Sequence, residues 1–189
     1  MTLPIKGIIG PPGSGKTALA AWMSYVGYQE GRKIFSNTLL RFPFDWVSRR
    51  DLVERIAVLT NCVVLVSEIQ VFMDSRRFAS KGNIEASYLF TQTRKRNVDF
   101  LWDSQKLHQV DKRLRDLTDW LYVVSRANRY EPMTLKNGSR NPRFNPWALV
   151  EVIDGTTGMV VNKFWFNIER SFGLYDTEQI IDPMQHLID

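Results

Sequence analysis

The sequence predicts one α/β domain with a mainly parallel sheet, extended towards its C-terminal end by a β-hairpin and a tail. Three observations carry that reading. An apolar run, residues 5–9, passes through a glycine-rich octet, Gly10-Pro11-Pro12-Gly13-Ser14-Gly15-Lys16-Thr17, straight into a helical pattern. Apolar runs then alternate with helical stretches. Two of those runs, Val63-Val64-Leu65-Val66 and Leu121-Tyr122-Val123-Val124, have no polar alternation, as expected of strands covered on both faces. After Arg126 the rhythm changes to two strands around Asp154-Gly155-Thr156-Thr157-Gly158, the pattern of an antiparallel hairpin.

Taken in order, the strands are expected at 3–9, 33–37, 62–67, 98–103 and 119–125, with the hairpin at 147–153 and 159–166. The helices are expected at 16–30, 46–59, 83–95 and 111–117, and Gly31 reads as the stop of the first. The stretch from Met133 to Pro146 holds Asn-Gly and two prolines and reads as loop. From Phe172 to Asp189 the periodicity is weak, so the tail either crosses onto a neighbouring subunit or moves freely. Residues 1–189 thus form one domain, with a core at 1–126 and a hairpin-and-tail extension at 127–189.

The length suffices for a substantial core. With 44% hydrophobic and 24% charged residues, the composition is that of a soluble globular protein. Cys62 is the single cysteine, which excludes a disulfide framework and points to a core thiol. The two histidines, His108 and His186, are far apart and fit no metal-ligand spacing. No apolar stretch is long enough to span a membrane, and the N-terminus lacks the features of a signal peptide. The expected location is intracellular. Net charge is +5, and between Arg76 and Arg143 there are 15 Lys and Arg against 7 Asp and Glu. A basic middle of this kind suits a polyanionic partner such as nucleic acid, or is solvated surface charge.

The octet matches G-x-x-x-x-G-K-[ST], the phosphate-binding P-loop, and lies between a strand and a helix as that motif requires. Its glycines let successive N–H groups curl towards phosphate oxygens, and the helix N-terminus adds partial positive charge. Gly10, Pro11, Pro12, Gly13, Ser14, Gly15, Lys16, Thr17 and Ala18 are therefore the expected ATP-binding residues. Lys16 reaches the β- and γ-phosphates, and the Thr17 hydroxyl binds Mg²⁺.

In P-loop ATPases a second apolar strand ends in an Asp that orders Mg²⁺, followed by the residue that activates water. Here the run 63–66 ends in Ser67-Glu68. Glu68 is the expected general base. Ser67 can hold a Mg²⁺-bound water but brings no charge. The strand at 98–103 leads to Ser104-Gln105, which makes Gln105 the candidate for sensing the γ-phosphate, and Asp103 offers the carboxylate that Ser67 lacks. Arg94 and Arg96, just before that strand, are candidates for a trans-acting arginine finger, with Arg126 and Arg129 behind them.

Together and in order, these segments resemble the FtsK–HerA superfamily of DNA-pumping ATPases, particularly its zonula-occludens-toxin-like and viral packaging branches. Glu30-Gly31-Arg32-Lys33-Ile34-Phe35-Ser36-Asn37 resembles the family's second strand with its "T/S-N" end. Val66-Ser67-Glu68-Ile69-Gln70 resembles its "D-E-x-Q" Walker B, with Ser67 in place of the Asp. Arg94-Lys95-Arg96-Asn97-Val98-Asp99-Phe100 resembles the arginine before the fourth strand. Gln105 and then Val110-Asp111-Lys112-Arg113 resemble the strand-end glutamine and the "I-D-x-x-[IL]-R" stretch.

The resemblance spans residues 1–126 and implies a RecA-like (ASCE) core, a homo-oligomeric ring that is usually a hexamer, and ATP bound between subunits. The implied activity is ATP-driven translocation of DNA, double-stranded in a packaging motor, with capsid or assembly proteins as further partners. Arg76, Arg77 and Lys81, in the basic stretch after Walker B, would then contact the DNA backbone. The alternatives are a phage-assembly or secretion ATPase of the toxin-like type, a nucleotide-gated switch with little turnover, and a small-molecule kinase.

Overall fold

The computed structural model describes residues 5–48, 51, 58–72, 96–126, 139, 141 and 144–176. Its eight-stranded sheet runs in the order β3-β2-β4-β5-β1-β6-β7-β8. The strands are β1 (Ile5–Ile9), β2 (Lys33–Ser36), β3 (Asp45–Trp46), β4 (Cys62–Val66), β5 (Val98–Ser104), β6 (Trp120–Arg126), β7 (Trp147–Asp154) and β8 (Val160–Asn167). All pairings from β3 through β6 are parallel, and β6-β7 and β7-β8 are antiparallel. The expected α/β class with a hairpin extension is what the chain adopts. The hairpin is no separate appendage, because β7 pairs with β6 along seven residues and continues the sheet.

Alternation along β4 explains how the sheet is covered. Cys62, Val64 and Val66 face one cluster with Ile5, Phe100, Trp102 and Leu114, while Val63 and Leu65 face the other with Ala18, Leu19, Ala21 and Leu101. Two buried faces account for the uninterrupted apolar run of β4, whereas the run 121–124 in β6, expected to be covered on both faces, is half-buried except at Val124. Burial pushes the Cys62 thiol up to about 11, as suits an inert core cysteine.

Helix α1 (Lys16–Gln29) lies over one face. It ends at Gly31, where Gly31 N–H donates to Tyr28 O and Arg32 N–H to Gly27 O, a Schellman closure at the stop the sequence marks. Among the described residues two shorter helices have bounds of their own, α2 (Ile69–Phe72) and α3 (Lys112–Leu117). Asp111 caps α3 by accepting from Arg113 N–H.

The expected helix at 46–59 begins differently. Asp45 and Trp46 pair with Phe35 and Ser36 as the short edge strand β3. The helix expected at 83–95 lies outside the described residues. The start of the tail packs on its own chain: Arg41 N–H donates to Leu174 O and Asp176 N–H to Leu39 O.

Gly7 sets the spacing between β1 and β5. A Cβ there would meet Cζ2 of Trp102 at 2.2 Å, and Trp102 is fully buried. Gly7→Ala is expected to destabilise the fold by about 1–3 kcal/mol through overpacking. Thermal melting checks this, and Trp102→Phe in the same chain should make the combined loss smaller than the sum.

Candidate active site

Parallel strands end together, so loops after β1, β4 and β5 meet at one edge of the sheet. Because β5 lies between β1 and β4, its C-terminal residues touch both neighbours: Ile8 pairs with Asp103, and Val66 pairs with Trp102. The crevice at the carboxyl ends of such strands is where α/β proteins place ligands.

The octet after β1 forms a turn in which Ser14 N–H donates to Pro11 O at 3.1 Å, and Gly15 starts α1 with φ 96°. A side chain at Gly15 would be strained, and its Cβ would sit 2.7 Å from Ile168. Among the described residues no side chain caps the N-terminus of α1, and the buried Ser14 hydroxyl has no hydrogen-bond partner. An uncapped helix N-terminus beside an orphaned hydroxyl fits a phosphate group.

Around that turn the structure gathers Lys16, Thr17, Ser67, Glu68 and Asp103. Lys16 Nζ lies 3.4 Å from Glu68 Oε1. Thr17 Oγ1 donates to Asp103 Oδ2 at 3.1 Å, and Ser67 Oγ donates to the same oxygen at 3.0 Å. Asp103 Oδ1 accepts from Glu68 N–H at 3.0 Å. Burial pushes the Asp103 carboxyl up, against the opposing pull of Lys16 and the Glu68 amide.

The loop between β4 and α2 is held from the side. Asn37, just past β2, accepts from Ser67 N–H at 2.7 Å and donates to Ser67 O at 3.0 Å. This clamp fixes Ser67 and presents Glu68, whose backbone takes the left-handed value φ 51°. Asn61 and Asn97 share that left-handed region, but Glu68 is the one of the three that lies in the cluster. Gln70 Nε2 donates to Glu68 Oε2. In the sequence Asn37 stood out only as the end of the "T/S-N" resemblance; its contact with Ser67, thirty positions away, has no local signature.

The chain has a P-loop NTPase fold. No protein-family model matches the sequence, and no curated protein does. Solved structures do match. The N-terminal domain of zonular occludens toxin from Neisseria meningitidis superposes with a TM-score of 0.69 at 20% identity, covering 93% of this chain and 100% of that domain. The genome packaging NTPase B204 from Sulfolobus turreted icosahedral virus 2, in complex with ATP-gammaS, gives 0.54 at 11% identity over 85% of this chain and 96% of that one. The DNA-packaging ATPase B204 from Sulfolobus turreted icosahedral virus gives 0.54 at 13% identity over 86% and 98%. These likenesses bear out the expected RecA-like core.

In this P-loop NTPase fold the remaining candidates fall in three places. Gln105 follows β5 directly and is exposed, at the rim of the edge that carries the cluster. Arg96 precedes β5, at the opposite edge. Seven residues separate it from Asp103, roughly 23 Å along a strand, so it does not serve the site of its own chain. Arg126 ends β6 and turns to its own P-loop, with one guanidinium nitrogen donating to Gly13 O at 3.3 Å, the other donating to Asn145 O, and the plane over Phe144. Arg76, Arg77, Lys81, Arg94 and Arg129 lie outside the described residues.

Among the described residues no group of three or more His, Cys, Asp and Glu could hold a metal. Nor is any described helix long and apolar enough to cross a membrane.

Proposed function

We propose that this chain is an ATPase that drives DNA translocation, as a viral genome-packaging motor working in a homo-oligomeric ring. The observation that carries the reading is the convergence of Lys16, Thr17, Glu68 and Asp103 at the carboxyl edge of the sheet. ATP binds with its phosphates on residues 10–18, with Lys16 leaving Glu68 to reach the β- and γ-oxygens. Glu68 then accepts a proton from the attacking water in line with the γ-phosphate. Thr17 would help hold Mg²⁺, with the neighbouring Ser67 able to take one of its bound waters, and the ion would supply positive charge against the phosphates. Gln105, exposed directly after β5, senses the γ-phosphate. Arg96, remote from its own site, suits a finger supplied to the next subunit of a ring, and Arg94 is the companion candidate. Arg76, Arg77 and Lys81 supply the backbone contacts to double-stranded DNA. The cytoplasm or the virion follows as the working place, with capsid or assembly proteins as partners.

A phage-assembly or secretion ATPase is the second reading. The match over the whole zonular occludens toxin domain favours it.

The test is the ATPase rate with and without double-stranded DNA at two salt concentrations. A packaging motor is expected to be stimulated by DNA, and the stimulation should fade as salt rises, because phosphate contacts release counterions. Hydrolysis indifferent to DNA favours the second reading, and tight binding without turnover favours a nucleotide-gated switch.

A further inference from the structure

Two hydroxyls and one backbone amide converge on a single buried carboxylate, and none of the three belongs to its own strand. Asp103 lies in β5, Thr17 in the first turn of α1, and Ser67 and Glu68 just past β4. In P-loop NTPases the cation that accompanies the nucleotide is held by the P-loop Ser or Thr together with an Asp. The residue after β4 has the place of that Asp, and here it is Ser67.

We infer that Asp103 is the carboxylate that orders the nucleotide's divalent cation, so that the metal-side charge has moved from the β4 end to the adjacent strand. Ser67 remains as a positioning residue that holds Asp103. This rests on the nucleotide site proposed above.

Register makes the exchange possible. Val66 pairs with Trp102, so the next residues on each strand, Ser67 and Asp103, stand side by side at the same level of the sheet. Neighbouring strands are only about 4.8 Å apart, so a carboxylate moved by one strand still reaches the same ion or its bound water. Thr17 identifies that level independently. Its hydroxyl, the P-loop ligand to the cation, is 3.1 Å from Asp103 Oδ2.

Charge agrees with this. The cluster holds two carboxylates, Glu68 and Asp103, against the Lys16 ammonium, and Lys16 is paired with Glu68. Among the described residues Asp103 hydrogen-bonds to neutral donors alone, and it is fully buried. Magnesium is characteristically bound through one or two protein carboxylates plus the phosphates of its nucleotide. A buried Asp that merely satisfies loop hydrogen bonds would use the same contacts, and the two roles differ in metal dependence.

The experiment is binding of a fluorescent ATP analogue, titrated with Mg²⁺ and with Mn²⁺ and repeated in EDTA. For Asp103→Asn the half-saturating metal concentration is expected to rise at least about tenfold, with metal-free nucleotide affinity unchanged. Ser67→Ala should shift it much less. The exchanged variant, Ser67→Asp with Asp103→Ser, should return metal dependence to within about threefold of the parent, because the carboxylate is back on β4. Unchanged metal dependence in Asp103→Asn overturns the inference. If Asp103→Asn binds no nucleotide even in EDTA, the exchanged variant decides: recovery supports the relocation, and no recovery overturns it. A parent protein that binds no nucleotide defeats the underlying site reading instead.

Discussion

Glu68→Gln is expected to keep nucleotide binding and to lower kcat by roughly 10²–10⁴-fold, the range a positioned general base contributes. Glutamine has nearly the same shape, so the loop that Asn37 and Asp103 hold should persist; what disappears is the proton acceptor. The resting contact adds a directional test. Lys16 Nζ lies 3.4 Å from Glu68 Oε1, and it must leave that carboxylate to reach phosphate. Without the carboxylate, Lys16 is free from the start, so the Kd for ATP should stay the same or fall. Lys16→Ala, by contrast, should weaken binding itself. Steady-state hydrolysis together with a nucleotide titration measures both quantities. Normal turnover in Glu68→Gln would remove Glu68 from the role of base.

The parts of this protein that were legible in the sequence are those whose physics is local. The P-loop needs glycines, a lysine and a threonine at fixed spacing, and β1 and α1 flank it as expected. Strand β4 announces itself because both of its faces are buried, which removes the polar alternation; β5 is equally buried but carries Asp99 and Asp103, so only its central Phe100-Leu101-Trp102 reads as core. The hairpin of β7 and β8 was readable from its turn, where Asp154 Oδ1 accepts from Thr156 and Thr157 N–H.

What escaped was set by register between distant segments. β3 is two residues long and has no periodicity to read; it exists because the chain past β2 returns alongside Phe35 and Ser36. The Asn37 clamp on Ser67 needs β2 and β4 to end at the same level. Asp103 was visible as a strand-end carboxylate, but its convergence with Thr17 and Ser67 depends on β5 being inserted between β1 and β4. Arg126 read from the sequence as a runner-up arginine finger, and its contact with its own P-loop follows only from the sheet order that places β6 beside β1.

The proposed site lies at the carboxyl ends of the strands, and a different charged group secures the opposite ends. Asp99, the second residue of β5, accepts from Arg32 at 3.0 Å and from Lys6 at 3.2 Å through the same oxygen. Arg32 also donates to Cys62 O and Asn97 O, which ties the α1-β2 connection to the starts of β4 and β5. Both Arg32 and Asp99 are buried. Asp99→Ala leaves the Arg32 guanidinium buried without a counter-charge, and is expected to destabilise the fold by about 3–5 kcal/mol. A denaturant titration reads this as a lower midpoint. Replacing Asp99 and Arg32 together, Asp99→Leu with Arg32→Met, should recover part of the loss, since an apolar pair of similar volume often matches a buried ion pair, while the more exposed Lys6 is left to solvent. Four residues, about 13 Å of strand, separate Asp99 from Asp103. Nucleotide affinity in the folded Asp99→Ala protein should therefore be unchanged. A loss of affinity without a loss of stability would mean that the two ends of β5 are coupled, and that the ion pair belongs to the site rather than to the scaffold.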